Sequence, residues 1–508
     1  MQWCWQSEVD GGAFDLLKEG SLSNTDFRIG TYSIKYFVDD YRAAYRGEEI
    51  VLDTPVLFCN RGSGLVEWIS SRQATKLSLE RSLDGGKTWK TLLDKVNPLD
   101  YETDFKGTYT DTEVENMTPN NVQRALYSDI LNLSIAQTEY EQLYGVLSKV
   151  AKVHEVRSLL VNVLDQFKPR ADLIRRICET EDVMSYYEDL MMMKSEDLAR
   201  ALIEGLPARI NTLTSYLKNE YYALYPLYNF YFTRDAAVTI GNQALICRMA
   251  NKVRMRESFI MDAIYRTSGI FDCSVIDANH LQPDNSQVIM EGGDIIVARE
   301  DILIIGNGVR TTPQGIDFMI DRFRKSVPYG RYNVIVQQLP SEPESFIHLD
   351  MVFTMLDTDK CMVFKPLIMQ ANQYQTVHIV IEDGIVTSIR PVSGLLSVLK
   401  KLGMDLKPIV CGGADEWDQE REQWHSGANF FAFAPGKVLS YARNIHTLEE
   451  LSKNGFEVVS ANEFISGKAD GAVYGDSPCV VTIDGSELPR GGGGARCMTM
   501  PLSRNNIF

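Results

Sequence analysis

At 508 residues, 44% of them hydrophobic, the chain is long enough for two or more domains with real cores, and is neither disordered nor fibrous. Its 51 Lys and Arg against 68 Asp and Glu leave a formal net charge of -17, which argues against a general nucleic-acid binder, leaves room for a local basic pocket, and suits a small cationic substrate. Nine scattered cysteines form no CxxC or Cys/His zinc spacing, and no apolar run approaches membrane-spanning length. The expectation is a cytoplasmic protein in a reducing compartment, with no metal, no other cofactor and no membrane contact.

Residues 1 to about 112 read as a β-rich segment of short strands and turns, with apolar runs at Glu49-Ile50-Val51-Leu52 and Pro55-Val56-Leu57-Phe58-Cys59. Ser82-Leu83-Asp84-Gly85-Gly86-Lys87-Thr88-Trp89 resembles an Asp-box turn, and a single copy reads as a structural turn rather than a sign of glycosidase activity. From about 121 to 225 the pattern is a helical insertion. Leu143, Val146, Leu147 and Val150 share one helix face, Ser195 reads as an N-cap, Gly205 ends the helix that follows, and Met191-Met192-Met193 reads as core filling.

After residue 228 hairpins alternate with helices. Hairpin turns are expected at Gly241-Asn242, Glu300-Asp301, Asp357-Thr358-Asp359, Asp383-Gly384 and Pro435-Gly436. Thr312-Pro313 starts a helix whose Ile316, Met319, Ile320 and Phe323 share a face. The recurrence suggests a repeated ββαβ unit in an α/β fold, although period alone does not separate it from an ordinary α/β sheet.

Four polar clusters fall at the hairpin edges, where a rigid scaffold can present side chains to one cavity: Asn229 to Asp235, Glu291-Gly292-Gly293-Asp294, His348-Leu349-Asp350 and Arg496-Cys497. Strand alternation in His348-Leu349-Asp350 would put His and Asp on one side. The last cluster follows Arg490-Gly491-Gly492-Gly493-Gly494, a glycine run that either brings backbone close to a ligand or is a flexible tail, and it makes Cys497 a candidate nucleophile. Singly, each cluster has a plain structural reading as a turn, a surface ion pair or a satisfied core histidine.

Together, Phe-Thr-Arg-Asp, Glu-Gly-Gly-Asp, His-Leu-Asp, Arg-Glu-Gln-Trp (Arg421 to Trp424) and Arg-Cys-Met-Thr-Met-Pro follow the order seen in arginine deiminases. From about Val114-Glu115-Asn116-Met117-Thr118-Pro119 to the C-terminus the chain closely resembles that family of guanidino-group-modifying enzymes. The resemblance implies a five-bladed, propeller-like α/β domain over residues 113–508 with a helical insertion, and an L-arginine substrate hydrolysed to L-citrulline and ammonia. By similarity, Arg254, Arg310 and Arg490 hold the α-carboxylate, while Asn229 and Phe232 lie in the substrate-contacting segment.

The residue types suit that chemistry. A guanidinium is a planar fork of donors that two carboxylates, Asp235 and Asp350, can grip. Cys497 attacks its central carbon to give a covalent thiouronium, with Glu291 and His348 moving protons. The family's usual opening departs here: Ser7-Glu8-Val9-Asp10-Gly11 resembles its Ser-Glu-(Ile/Val)-Gly start, but no His-Arg-Pro-Gly follows. Either an added domain has displaced that strand or the first blade is built differently. Two alternatives stay beside the leading reading: hydrolysis of another guanidine such as agmatine or a peptidyl arginine, and a non-enzymatic binding protein on the same scaffold. The sequence leaves homo-oligomerisation open.

Overall fold

The computed structural model describes residues 131–209, 222–280, 287–326 and 330–503, and before them strands between residues 5 and 110. The chain divides into two compact units, Met1–Asn116 with Leu206–Ala223, and Met117–Gly205 with Leu224–Phe508.

Among its described residues the first unit carries two antiparallel sheets. One orders β1 (Trp5–Asp10), β2 (Ala13–Leu22), β3 (Thr31–Val38), β6 (Lys76–Ser82) and β7 (Lys90–Val96); the other orders β4 (Val56–Cys59), β5 (Leu65–Ile69), β9 (Lys106–Thr110) and β8 (Glu102–Thr103). Ser7 to Asp10 therefore pairs with β2 inside this unit, in register Ser7 with Leu16. The Asp-box turn, the run Glu49 to Leu52 and the segment Val114 to Pro119 lie outside the described residues. A short strand β10 (Leu206–Pro207) pairs with β11 (Tyr222–Leu224).

Among the described residues of the second unit one connectivity recurs four times. Strands β12 (Ala237–Ile240) and β13 (Gln243–Ile246) make an antiparallel hairpin, and β14 (Ser274–Asp277) returns parallel to β13. The same holds for β15 (Ile295–Arg299), β16 (Ile302–Asn307) and β17 (Arg331–Gln338). It holds again for β18 (Phe353–Met355), β19 (Lys360–Val363) and β22 (Lys407–Val410), and for β23 (Phe431–Ala434), β24 (Lys437–Tyr441) and β26 (Cys479–Ile483), with β25 (Glu457–Ser460) beyond β26. A parallel return needs a crossover, and each unit has its own helix there. Strands such as β12, buried at every position, read as continuous apolar runs because both faces are covered.

The hairpin turns form as the sequence predicts, for local reasons. Asp383 and Gly384, with φ of 49° and 74°, make the two-residue turn between β20 (Thr376–Glu382) and β21 (Ile385–Val392). This hairpin interrupts the third repeat and adds instead to the second sheet, β20 pairing antiparallel with β17. It lengthens the interval before the fourth repeat.

The insertion is helical: α1 (Leu133–Val150), α2 (Val156–Leu164), α3 (Phe167–Glu181), α4 (Tyr187–Met192) and α5 (Ser195–Glu204). Leu143 and Val146 are buried as expected. Two expectations are corrected. Lys194, not Ser195, holds the N-cap position and makes no side-chain cap. Met192 is 85% exposed, so the methionine run is not core filling throughout; its helix is short and ends there. Downstream lie α6 (Met255–Thr267), which α2 and α3 pack against, α7 (Pro313–Ser326), α8 (Leu395–Lys401), α9 (Glu416–Trp424) and α10 (Ile445–Lys453). Helix α7 buries Ile316, Met319, Ile320 and Phe323, and Thr312 Oγ1 accepts from Gly315 N at 3.1 Å at its start. The architecture is mixed α/β.

Candidate active site

The side chains of interest sit ahead of the first strand of each repeat. Asp235 precedes β12, Glu291 precedes β15, and His348 and Asp350 precede β18. Cys497 follows β26, in the segment that closes the chain. Each entry is a short helical turn rather than a strand: Thr233–Ala236, Gly292–Asp294 and Leu349–Met351. Strand alternation is therefore not what orients His348 and Asp350. His348 is extended and the tight turn after it swings Asp350 round, while buried Leu349 donates its N–H to Asp294 Oδ1 at 2.9 Å.

Tight backbone approach explains the glycines. A Cβ on Gly293 would sit 2.5 Å from His348 Nδ1, and one on Gly494 would sit 2.7 Å from the Asn429 side chain. Gly491, Gly493 and Gly494 are buried, so the terminal run is packed structure and not a loose tail.

The cluster is fully enclosed: Cys497 and His348 are 1% exposed, Glu291 and Asp350 0%, and Asp235 3%. His348 Nε2 lies 2.9 Å from Glu291 Oε2, and His348 Nδ1 lies 3.7 Å from Asp235 Oδ1. Those last two atoms are buried with no hydrogen-bond partner, which marks a place for a ligand with donors and charge. Asp350 accepts from Arg496 Nη1 at 2.6 Å and stands 3.6 Å from Cys497 Sγ.

Arg254 reaches into the same network. It donates to Asp235 Oδ2 at 2.9 Å and to Glu257 through two nitrogens, at 3.0 and 2.8 Å, and it stands 3.7 Å from Glu291. Arg310 Nη1 donates to Glu291 Oε1 at 3.4 Å. Arg490 is bonded elsewhere, to Ser486 O at 3.1 Å and Glu487 at 3.5 Å. The Asn229 carbonyl accepts from Arg254 and from Phe232 N, and the Phe232 ring packs under Gly493 in the same apolar cluster as Cys497.

Charge sets the protonation states. Burial opposes it, but Asp235, with Cys497 and Glu291, holds the His348 pKa well above the usual histidine value, which favours the imidazolium. Burial acts to raise Glu291; Arg310, His348 and Arg254 outweigh it and hold its carboxyl below the usual range. Burial, then Asp350 and Asp235, push the Cys497 thiol up to about 11 against the pull of His348. Asp235, Glu291 and His348 bring one ligand atom each within 4.8 Å of one another, a spacing a metal could use. Arg254 and Arg310 already stand against these carboxylates, so guanidinium groups answer the charge there.

Three side-chain roles were not legible in advance. Within Arg421 to Trp424, Glu422 accepts from Thr447 N at 2.7 Å at the start of α10, and Gln423 Nε2 donates to Ser345 O and Met351 O at 3.0 and 3.3 Å. Gln423 thus braces the turn that carries His348 and Asp350. Asn429, just ahead of β23, donates to Cys497 Sγ at 3.1 Å. Its place ahead of a repeat's first strand, shared with Asp235, Glu291 and His348, is the signal that could have found it.

The arginine deiminase family model matches residues 123–504. The arginine deiminase of Bacillus cytotoxicus is 32% identical over 423 residues, covering 78% of this chain and 94% of its own length. That of Mycoplasma capricolum is 29% identical over 402 residues, covering 78% and 93%. Among solved structures, the product-bound N-terminal domain of ArgZ, a cyanobacterial arginine dihydrolase, is similar over 54% of this chain and 76% of its own, with 16% identity and a TM-score of 0.35. A dimethylarginine dimethylaminohydrolase adduct gives 54% and 78%, 18% identity and 0.33. Likeness at that level decides nothing about this chain, but the match of family model and relatives over most of the sequence does: the chain belongs to the arginine deiminase family.

Proposed function

We propose that this protein hydrolyses L-arginine to L-citrulline and ammonia through a covalent cysteine thiouronium. The observation that carries this reading is the company of Cys497. The two carboxylates beside it, Asp350 and Asp235, are among the groups that suppress its thiolate. They are also the groups suited to gripping a planar cation. A bound guanidinium offsets their charge, the thiol releases its proton to solvent as substrate binds, and the thiolate forms where it is needed.

Thiolate attack on the guanidinium carbon gives a tetrahedral adduct. His348, already an imidazolium held by Glu291, gives its proton to the departing ammonia and then takes one from the water that attacks the thiouronium. Collapse releases citrulline and restores the thiolate. Asp235 and Asp350 each give one oxygen to a protein arginine, Arg254 and Arg496, which holds the carboxylates in place. We assign Arg310 and Arg490, with side chains 14% and 36% exposed, to the α-carboxylate, beside Asn229 and Phe232. Arg254, 5% exposed among Asp235, Glu257 and Glu291, is assigned to positioning these carboxylates.

The four repeats, each entered by a turn bearing a site residue or Asn429, support reading them as consecutive blades of a five-bladed ring. Seven cysteines among the described residues are free, which supports a cytoplasmic, reducing setting. The test is citrulline and ammonia release from L-arginine by the purified protein beside Cys497→Ala, with agmatine as a second substrate. Equal release of both products, lost in the variant, supports the reading. A folded protein that turns over no arginine sinks it.

A further inference from the structure

We propose that Asn429 is a further catalytic residue, the neutral donor that holds the Cys497 thiolate both as nucleophile and as leaving group. The inference rests on the deiminase reading for its place in turnover. It rests on geometry for the contact itself.

The side-chain amide is 1% exposed and every polar atom is engaged. Oδ1 accepts from Arg496 N at 2.9 Å and from Cys497 N at 3.3 Å. Nδ2 donates to Cys497 Sγ at 3.1 Å, to Asp350 O at 3.2 Å and to Met351 Sδ at 3.7 Å. The amide's orientation follows from these partners. Two backbone N–H groups need an acceptor, so the oxygen must face them and the NH2 must face the sulfur.

An NH2 group can only donate, so this contact favours the thiolate over the thiol. Around the sulfur, Asp350 and Asp235 oppose ionisation and His348 is shared with Glu291. Asn429 is a donor to the sulfur with no charge of its own for the carboxylates to compete over. The same hydrogen bond strengthens when the thiouronium C–S bond breaks, because the sulfur changes from a weak thioether acceptor to a thiolate. Asn429 also ties the backbone of Asp350 to that of Cys497, fixing carboxylate and nucleophile in one frame.

The test is the pH profile of Cys497 alkylation by iodoacetamide in the substrate-free protein, followed by mass spectrometry of the peptide that contains Cys497. Asn429→Ala removes the donor, and its profile is expected to move up by about 1–2 pH units, with alkylation roughly 10- to 100-fold slower below the midpoint. Asn429→Asp keeps an acceptor for the two backbone N–H groups, guards against a mere folding failure, and is expected to slow alkylation at least as much by adding negative charge. In turnover, kcat falls with little change in KM. A profile in folded Asn429→Ala and Asn429→Asp that overlays the unsubstituted protein overturns the proposal. Alkylation needs no arginine, so absence of deiminase activity with a shifted profile would remove the functional reading and leave the contact standing.

Discussion

His348 and Glu291 share a hydrogen bond of 2.9 Å in the interior, with Glu291 0% and His348 1% exposed. Each keeps the other charged. Glu291→Gln keeps the shape and removes the negative charge, so His348 loses one of the groups that hold it protonated. The kcat for arginine is expected to fall by roughly 10²–10⁴, the usual range for losing acid–base help. The pair's contribution to stability is present above the ordinary Glu range and lost as pH falls through the lowered Glu291 value. On the other side it is present below the ordinary His range and lost as pH rises through the raised His348 value. Thermal melting should therefore show the variant's deficit largest between about pH 5 and 6.5 and shrinking in strong acid. A deficit that does not vary with pH would contradict the pairing.

Asp294 gives a second pH signature. Burial pushes its carboxyl up to about 7 from 3.8, so the folded protein keeps a proton there that the unfolded chain has released. Stability from this group is present at low pH and declines as pH rises from about 4 to 7. Asp294→Asn imitates the protonated form and keeps an acceptor for Leu349 N. Its melting temperature relative to the unsubstituted protein is expected to climb across that window, by an amount worth at most roughly 4 kcal/mol. A flat difference would mean that Asp294 is ionised in the fold throughout.

The glycine run can be tested for packing rather than flexibility. In Gly494→Ala the new methyl meets Asn429 Cβ at 2.7 Å, so amide and nucleophile must separate. Activity is expected to fall by on the order of tenfold to a hundredfold, as for other sub-ångström to ångström misplacements. Gly471→Ala, where the methyl meets nothing within 4 Å, serves as control and should leave activity unchanged with stability raised by about 0.4–1 kcal/mol. Equal activity in both variants would restore the loose-tail reading.

Arg254 and Arg310 should separate by what they damage. Arg254→Met strands Glu257 and Asp235 as buried unpaired charges and is expected to cost about 3–5 kcal/mol in denaturant unfolding. Arg310→Met is expected to raise KM for arginine roughly 10- to 100-fold. Agmatine, which lacks the α-carboxylate, should lose much less. Equal losses for the two substrates would remove Arg310 from carboxylate recognition.

The hairpins, their turns and the buried face of α7 were readable because short-range rules decide them. Positive-φ positions call for glycine or aspartate, as at Asp383-Gly384, and a covered helix face repeats every three to four residues, as from Ile316 to Phe323. The same rules could name Cys497, His348, Glu291, Asp235 and Asp350 as chemistry-bearing types ahead of or behind hairpins. They misjudged the conformation at His348-Leu349-Asp350, where a hydrogen bond from Leu349 to Asp294 stabilises a turn in place of a strand. The exposure of Met192 was equally hidden, because composition does not say which side of a short helix meets solvent.

By itself, then, the sequence determined the α/β alternation, the places where the chain turns, and the identity of the residues able to do guanidine chemistry, since all three follow from neighbours within a few positions. Only the tertiary structure decided that the β20–β21 hairpin joins the sheet of β17, that Arg254 is held by Asp235, and that Asn429 meets the sulfur of Cys497. Those pairings join residues from 19 to 68 positions apart in sequence. Their partners are chosen by how buried charge and buried amide groups can be satisfied at once, a condition that exists only after the repeats have packed.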